Sequence, residues 1–310
     1  FACSYCNASF STTWQNDIKK NGPYQNLVSD GAAAFQHDGG HAMPYGKKNE
    51  GNPYVEAFWK WWEGELQHTL RELRVTGGEP TMSQDFWKLM KWWEQHPECN
   101  VEFAMNSNLG QKQELFEELL KATHSFKNFH LYTSCEATGS NAEYIRDGLV
   151  WEKWLVNMDR ILGEGKVTSL NCMMTINALC LFTLPEFMDE MLKLKIKYKT
   201  QSPVCSFNIL RFPSFQSIVT LPKEIRLERA DAIEAWINKN WNNGENGFIE
   251  WEKDSMTRLV TYLREVEEGH RHTSSKESRE RDFKSFYTQY DIRRNKNFVE
   301  TFPMLKEWFD

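Results

Sequence analysis

Short apolar segments alternate with stretches of helical periodicity along the first two thirds of the chain. The apolar segments lie at 72–76, 101–105, 129–135, 167–176 and 205–212, and the helical stretches between them at 86–93, 111–122, 141–162 and 185–198. Pro185 falls in the first turn of its predicted helix, where a missing N–H group costs nothing. Strands that alternate with helices in this way favour βαβ units and a parallel sheet.

A sixth strand is expected just before Cys3, which makes six βα units. The predicted fold is therefore α/β, a partial (β/α)6 barrel that resembles an open TIM barrel. We assign 1–221 to this barrel, with a long Gly- and Asn-bearing insertion loop at 17–53, and 222–310 to a helical C-terminal extension. The extension is predicted to form helices at 223–241, 248–268 and 276–294, which should close the open side of the barrel.

Polar residues recur at the predicted C-terminal ends of successive strands. Asn106 and Asn108 share one face, Ser134 and Glu136 share another, and Asn177 follows the next strand. In βα barrels this rim carries the active site. The alternative is turn formation, since Asn and Ser also favour strand-to-helix loops.

Composition narrows the functional classes. The net charge of −6 gives no basic footprint for nucleic acid, and no apolar run is long enough to span a membrane. The seven cysteines are odd in number, and the five after Cys6 lack pairing spacings, which argues against a disulfide framework and favours a reducing, cytoplasmic location. Because the sequence begins with Phe1 rather than Met, we expect it to be N-terminally incomplete.

Two motifs bear on the chemistry. Cys3 and Cys6 form a C-x-x-C pair, which alone is compatible with half a zinc site, a thioredoxin-type dithiol or an iron–sulfur site. The segment RVTGGEP at 74–80 ends a predicted strand, and its paired glycines permit close backbone approach to a ligand. A plain Gly-Gly turn is less consistent with a C-x-x-C pair upstream and further strands downstream.

Together, C-x-x-C and G-G-E-P on the following strand resemble the radical S-adenosylmethionine (SAM) superfamily. The family motif is C-x-x-x-C-x-x-C, so its first cysteine is expected two residues before Phe1. CEATG at 135–139, EYIRDG at 143–148 and the Trp151/Trp154 pair are similar to twitch-type members, and the likeness spans about 1–215. The resemblance implies a [4Fe–4S] cluster that cleaves SAM to a 5′-deoxyadenosyl radical, which abstracts hydrogen from a substrate.

The resemblance also implies the site residues. It makes Cys3 and Cys6 cluster ligands, brings Gly77, Gly78 and Glu79 to the methionine amino group, and places the ribose or carboxylate at Ser134 and Glu136. Arg146 would pair with the methionine carboxylate, unless it is a surface helix arginine. Asn177 would meet the adenosine or serve as a loop cap, and the third strand end is lined by Asn106 and Asn108.

The remaining cysteines are predicted to be buried apolar thiols, so we expect a single cluster. His37 and His41 in the insertion are interpreted as solvated loop histidines. The substrate is not specified, and a peptide, a sugar or a nucleotide-linked compound would fit, with flavodoxin or ferredoxin as electron donor. The alternatives are a catalytically retired barrel that binds SAM as a regulatory protein, and a C-x-x-C thiol oxidoreductase.

Overall fold

A parallel sheet forms the centre of the computed structural model, which describes residues 1–38, 52–265 and 273–310. Its strands follow one another in chain order: β2 (Glu72–Val75), β3 (Glu102–Asn106), β4 (Phe129–Thr133), β6 (Ser169–Ile176) and β7 (Val204–Ile209). This confirms the α/β class. The segment expected to be a sixth strand, β1 (Ala2–Cys3), instead pairs antiparallel with β5 (Arg146–Asp147) in a separate two-stranded sheet.

Helices follow the strands and continue beyond them. They are α1 (Thr12–Asn21), α2 (Pro53–Trp61), α3 (Gln67–Thr69), α4 (Gln84–Gln95), α5 (Gln113–Ala122), α6 (Gly139–Ile145), α7 (Trp151–Glu164), α8 (Leu184–Tyr198), α9 (Lys223–Asn240), α10 (Glu250–Glu265), α11 (Lys276–Arg294), α12 (Phe298–Thr301) and α13 (Lys306–Phe309). Pro185 lies in the first turn of α8, as predicted. Within the described ranges, none of these helices combines the length and apolar character needed to cross a membrane.

One face of the sheet is apolar and covered by helices. Along β6 buried and partly exposed residues alternate, which is the period-two pattern of a strand with two unlike faces. On β3, Phe103 is fully buried, and its ring lies 5.3 Å from that of Trp93 on α4 and 4.8 Å from that of Phe126. The core therefore lies between the sheet and the helices on this side.

The edge strand β7 is covered by α10. Glu252 on α10 accepts a hydrogen bond from the backbone N–H of Cys205 at 2.8 Å, and its carboxylate also pairs with Lys195 of α8. An unpaired strand edge invites pairing with other chains, so a helix here protects the sheet. The predicted C-terminal extension thus contributes a helix that packs on the sheet itself.

The helix predicted at 141–162 is wrong as one element, because the structure breaks it into α6 and α7. Gly148 adopts φ 94°, a left-handed conformation that suits glycine, and the residues before it form β5. Arg146 therefore lies on a strand beside Cys3 and not on a helix.

The insertion predicted as a loop at 17–53 is partly helical and packed into the core. Asp17 belongs to α1 and is buried, and the rings of Tyr24 and Phe35 lie 4.8 and 5.1 Å from Phe286 on α11. The aromatic partners come from the other end of the chain, so local patterns did not reveal them. His41 lies outside the described residues.

Candidate functional site

The chain turns at residues 2–6, which we call the cysteine turn because they include Cys3 and Cys6. One cavity of about 790 Å³ lies beside this turn and the C-terminal ends of β2, β3 and β4. This volume is in the range of small-molecule sites. Most of the residues predicted for the site line it: Cys3, Cys6, Gly77, Gly78, Glu79, Asn106, Asn108, Ser134 and Arg146. They come from distant parts of the chain, and the fold brings them together.

The cysteine turn is held by side chains from three other segments. Cys6 donates its backbone N–H to the carbonyl oxygen of Cys3 at 3.0 Å. The next contacts come from outside: Tyr290 donates to the carbonyl of Ala2 at 3.4 Å, and Trp14 Nε1 to that of Cys3 at 3.1 Å. Gln216 Nε2 donates to the carbonyl of Ser4 at 2.9 Å.

These supporting residues were missed in the sequence. Trp14, Gln216 and Tyr290 stand in no motif, and no local signal relates them to the cysteines. They bond the carbonyl groups of three consecutive residues, Ala2, Cys3 and Ser4. The protein itself therefore holds the backbone of the turn in place.

The thiols of the turn are half-buried and free of disulfide bonds. Burial raises the pKa of the Cys6 thiol, and the neighbouring Cys3 raises it further.

The G-G-E segment forms an open wall of the cavity. Gly77 adopts φ 143°, and a Cβ atom placed on Gly77 or Gly78 would meet open space. The backbone is therefore accessible to a ligand at both positions. Substitution at Gly77 would strain the chain, because few side chains tolerate this φ.

Glu79 is held by hydrogen-bond donors that carry no charge. It accepts from Thr81 Oγ1 at 2.8 Å, from Ser107 Oγ at 3.0 Å and from the N–H of Asn108 at 2.7 Å. These bonds join the loops that follow β2 and β3. None of the ion pairs found in the described ranges involves Glu79, so its negative charge stays at the cavity wall.

Arg146 is buried with only 5% of its surface exposed, so the surface-arginine alternative is wrong. Its Nε lies 3.1 Å from Glu136 Oε2, and its Nη1 lies 3.5 Å from Cys3 Sγ. Tyr5 adds a hydroxyl bond to Glu136 at 3.2 Å. Burial alone would lower the pKa of the guanidinium, but Glu136, Tyr5 and Cys3 outweigh it and hold that pKa well above its usual value.

The C-terminal end of β3 carries a hydrogen-bond acceptor that the described protein leaves unused. Asn106 Oδ1 is buried and has no hydrogen-bond partner among the residues that the structure describes. Asn108 is engaged, since its Oδ1 accepts from the N–H of Gly110 at 2.8 Å. Because buried acceptors are normally satisfied, Asn106 suits a donor on a bound ligand.

Two predicted residues lie outside the cavity lining. Glu136 is 1% exposed and sits behind Arg146. Asn177 is also buried and caps its own turn, accepting from the N–H of Leu179 at 2.9 Å and donating to the carbonyl of Thr175 at 2.9 Å. The loop-cap interpretation of Asn177 therefore holds, and cofactor contacts of both residues stay predictions.

The other cysteines are buried, as predicted: Cys99, Cys135, Cys172, Cys180 and Cys205. Cys172 lies on the apolar face of β6, in register with Cys205 of β7, and donates to the carbonyl of Cys135 at 3.3 Å. Burial raises the pKa of the Cys135 thiol to about 12. The single cluster stays a prediction.

Two large apolar side chains on the cavity rim were also missed. Phe10 is 81% exposed and Met82 is 68% exposed, and both line the cavity from different segments.

Comparison of the chain with protein-family models, with curated proteins and with solved structures yields no match. The functional argument therefore depends on the residues and on the geometry of this cavity.

Proposed function

We propose that this protein is a radical SAM enzyme built on a partial (β/α) barrel. The observation that carries the proposal is the single cavity that unites the cysteine turn, the Gly77–Glu79 wall and the polar strand ends. The sequence predicted these features separately, and a chance surface would not bring them to one cavity. The finer barrel architecture belongs to the same proposal.

The residues present fit the two cofactors in part. Cys3 and Cys6 supply two of the three thiolates that such a [4Fe–4S] cluster needs. The accessible backbone of Gly77 and Gly78 and the free acceptor of Asn106 suit SAM. When bound, the two cofactors supply one-electron cleavage of a carbon–sulfur bond and a carbon radical that abstracts hydrogen from the substrate.

The chain itself binds and orients. Glu79 places an uncompensated negative charge where the cationic amino group of SAM is expected. The charge of Arg146 is already matched by Glu136. We therefore assign Arg146 to holding Cys3 and Glu136 in position, rather than to serving only as the partner of the SAM carboxylate. The aromatic and amide supports behind the turn keep the thiols in place.

Anaerobic iron–sulfur reconstitution of the full-length protein tests the proposal. We expect about four irons per chain and 5′-deoxyadenosine on reduction in the presence of SAM. Cys3→Ala should lose the iron, whereas Cys99→Ala, a buried cysteine far from the turn in sequence, should keep it. Full iron in Cys3→Ala would overturn the proposal, and SAM binding without cleavage in the wild type would favour the retired barrel.

Glu79→Gln tests the charge at the cavity wall. Loss of a charge-assisted bond typically costs about 1.5–3 kcal/mol, or roughly ten- to a hundred-fold in SAM affinity by calorimetry. Glu114→Gln, on the exposed first turn of α5, serves as the matched control. Equal SAM affinity in both variants would remove Glu79 from the binding site.

A further inference from the structure

The face of the sheet opposite the core is polar and, among the residues that the structure describes, partly exposed at several positions. Parallel sheets are usually covered on both faces and have apolar residues on each. Here β6 places Ser169 and Asn171 on the second face, partly exposed, while Leu170 and Cys172 are buried on the first. We call this second side the polar face, defined by the register positions of Arg74, Ala104, His130 and Ser169 on β2, β3, β4 and β6.

An arginine and a tyrosine meet across the middle strand of this face. Arg74 on β2 donates from Nη2 to the hydroxyl of Tyr132 on β4 at 3.2 Å, and its guanidinium lies 4.5 Å from the centre of that ring. The strand between them carries only the small Ala104 at this position, which leaves room for the contact. Arg74 is also held at 3.2 Å by Glu72.

A second set of hydrogen bonds continues the polar face. His130 Nε2 lies 3.7 Å from Glu102, and its Nδ1 lies 2.8 Å from Ser169 Oγ. Asn171 donates to the same hydroxyl at 3.0 Å. On β7 the register places Ser206 beside Met173, so polar groups extend to the edge of the sheet.

The polar face continues into the candidate cavity. Asn106 lies in register with Tyr132, and Asn171 lies in register with Tyr132 on its other side. Asn106 also lines the cavity, together with Ser134 two residues beyond Tyr132. A molecule that lies on the polar face would therefore reach the site where the radical is expected.

The charges on this face disfavour an anionic ligand. Arg74 is matched by Glu72, and Glu102 lies 3.7 Å from His130, so at these described strand positions no positive charge is left over for a phosphate or carboxylate. A peptide would need apolar pockets for alternate side chains. The strand positions of this face carry mainly hydroxyls, carboxamides, an imidazole and paired ions, with Met173, Val204 and the buried Ala104 as the apolar exceptions.

We propose that the polar face binds a neutral, polyhydroxylated portion of the substrate, that is, a saccharide without phosphate. Hydroxyl groups are both donors and acceptors, and so are the hydroxyl and carboxamide groups of Ser169, Asn171 and Tyr132. The inference rests on the proposed function for its reaction, but the binding itself requires neither cluster nor SAM.

Saturation-transfer NMR on the full-length protein tests this binding without the cofactors. The probes are a panel of neutral methyl glycosides, glucose 6-phosphate, and a capped tripeptide. We expect transfer to at least one neutral glycoside, and weaker transfer to glucose 6-phosphate than to methyl glucoside. Transfer only to the phosphate or only to the peptide, or to no probe, would overturn the proposal.

Variants locate the binding. Asn171→Ala and Tyr132→Phe should weaken the glycoside about tenfold, which is the effect of one lost hydrogen bond at the upper end of its usual range. Asn240→Ala, at the end of α9 where its amide bonds Trp236, should leave binding unchanged. Equal binding in all three would place the saccharide elsewhere.

A charge variant adds an independent measurement. Glu72→Gln with Glu102→Gln removes both carboxylates and leaves Arg74 without its counter-charge, so binding of glucose 6-phosphate should increase relative to methyl glucoside. An unchanged ratio would contradict the charge argument. Because none of these outcomes depends on iron or on SAM cleavage, failure here is distinguishable from failure of the radical SAM assignment.

Discussion

Two buried ion pairs in this protein resemble each other in composition and differ in their surroundings. Lys195 and Glu252 join α8 to α10, with side chains 1% and 0% exposed, and Arg146 and Glu136 lie beside the cysteine turn, with side chains 6% and 1% exposed. Burial alone does not distinguish them. Their remaining hydrogen bonds do.

The pair at the sheet edge is saturated by the protein. Lys195 Nζ donates to Glu252 at 2.7 Å and to the carbonyls of Gln201 and Gly247 at 2.7 and 3.1 Å, which uses its three protons. Arg146, by contrast, lines the cavity and has Cys3 Sγ as the partner of Nη1. The comparison indicates that the first pair stabilises the fold and the second organises the site.

The largest expected effect is on the saturated pair. Lys195→Met leaves the Glu252 carboxylate buried and unpaired, which typically costs about 3–5 kcal/mol. Thermal unfolding followed by circular dichroism measures the loss. The double variant Lys195→Met/Glu252→Leu should recover part of it, since no unpaired charge then remains.

Lys197→Met is the matched control for this prediction. Lys197 lies two residues away and pairs with Asp159 on the surface, with a side chain 55% exposed. Surface pairs contribute little, so its unfolding temperature should stay close to that of the wild type. Equal losses in the two single variants would contradict the assignment of Lys195 to a buried structural pair.

A somewhat smaller loss of stability is expected for Arg146→Met, because Glu136 keeps its 3.2 Å bond from Tyr5. The distinguishing result is iron retention. At a temperature where both are folded, reconstituted Arg146→Met should lose iron faster than Lys195→Met. Arg146→Lys, which keeps the charge, should restore part of the stability. The same iron content in Arg146→Met and Lys195→Met would break the comparison.

Gln216→Leu tests a supporting residue with no charge. It leaves the buried carbonyl of Ser4 without its 2.9 Å donor, a change that costs about 1–3 kcal/mol. Iron should dissociate roughly ten- to a hundred-fold faster in the presence of a chelator, as is typical when a residue that orients metal ligands is removed.

Gln289→Leu is the control, because its amide also donates to a backbone carbonyl, that of Gln25, at 2.9 Å, but away from the turn. If iron left both glutamine variants at the same rate, the support role of Gln216 would be wrong.

Much of the fold was predictable because its signals are local. Apolar runs located the strands, and Pro185 marked the start of α8. The break at Gly148 was missed because the preceding residues are held by pairing of Arg146 and Asp147 with the chain start, a contact across the sequence. The helix α1 was missed for a similar reason, since its burial depends on aromatic residues of α11.

The site was predictable to the extent that motifs and strand ends reveal it. The rule that parallel strands end at one edge brought Asn106 and Ser134 to the same cavity, and the motif resemblance added Cys3 and Gly77. Which charged side chains pair with each other could not be predicted, because the ion pair between Arg146 and Glu136 depends on side-chain geometry. The alternation of polar and apolar residues along single strands is visible in the sequence, but the surface that the strands form together depends on their register.

The smallest effect concerns a partly exposed carboxylate that, unlike the two buried pairs, is held by uncharged donors. Asp30 accepts from Thr273 Oγ1 at 2.5 Å and from the N–H groups of Thr273 and Ser274 at 2.7 and 3.1 Å, just before α11. The hydroxyl of Thr273 contributes most to lowering the pKa of Asp30, burial opposes it, and the other bonds from Ser274 and Thr273 add to the lowering, so that the pKa is about 2. Because the pKa is lowered, the contribution of the Asp30 charge to stability is complete above the unfolded value of about 3.9 and disappears as the pH falls through the folded value.

The urea midpoints of the wild type and Asp30→Asn should therefore differ at pH values above the unfolded pKa and converge as the folded pKa is reached. A difference that persists undiminished through this window would show that the Asp30 charge does not contribute to stability.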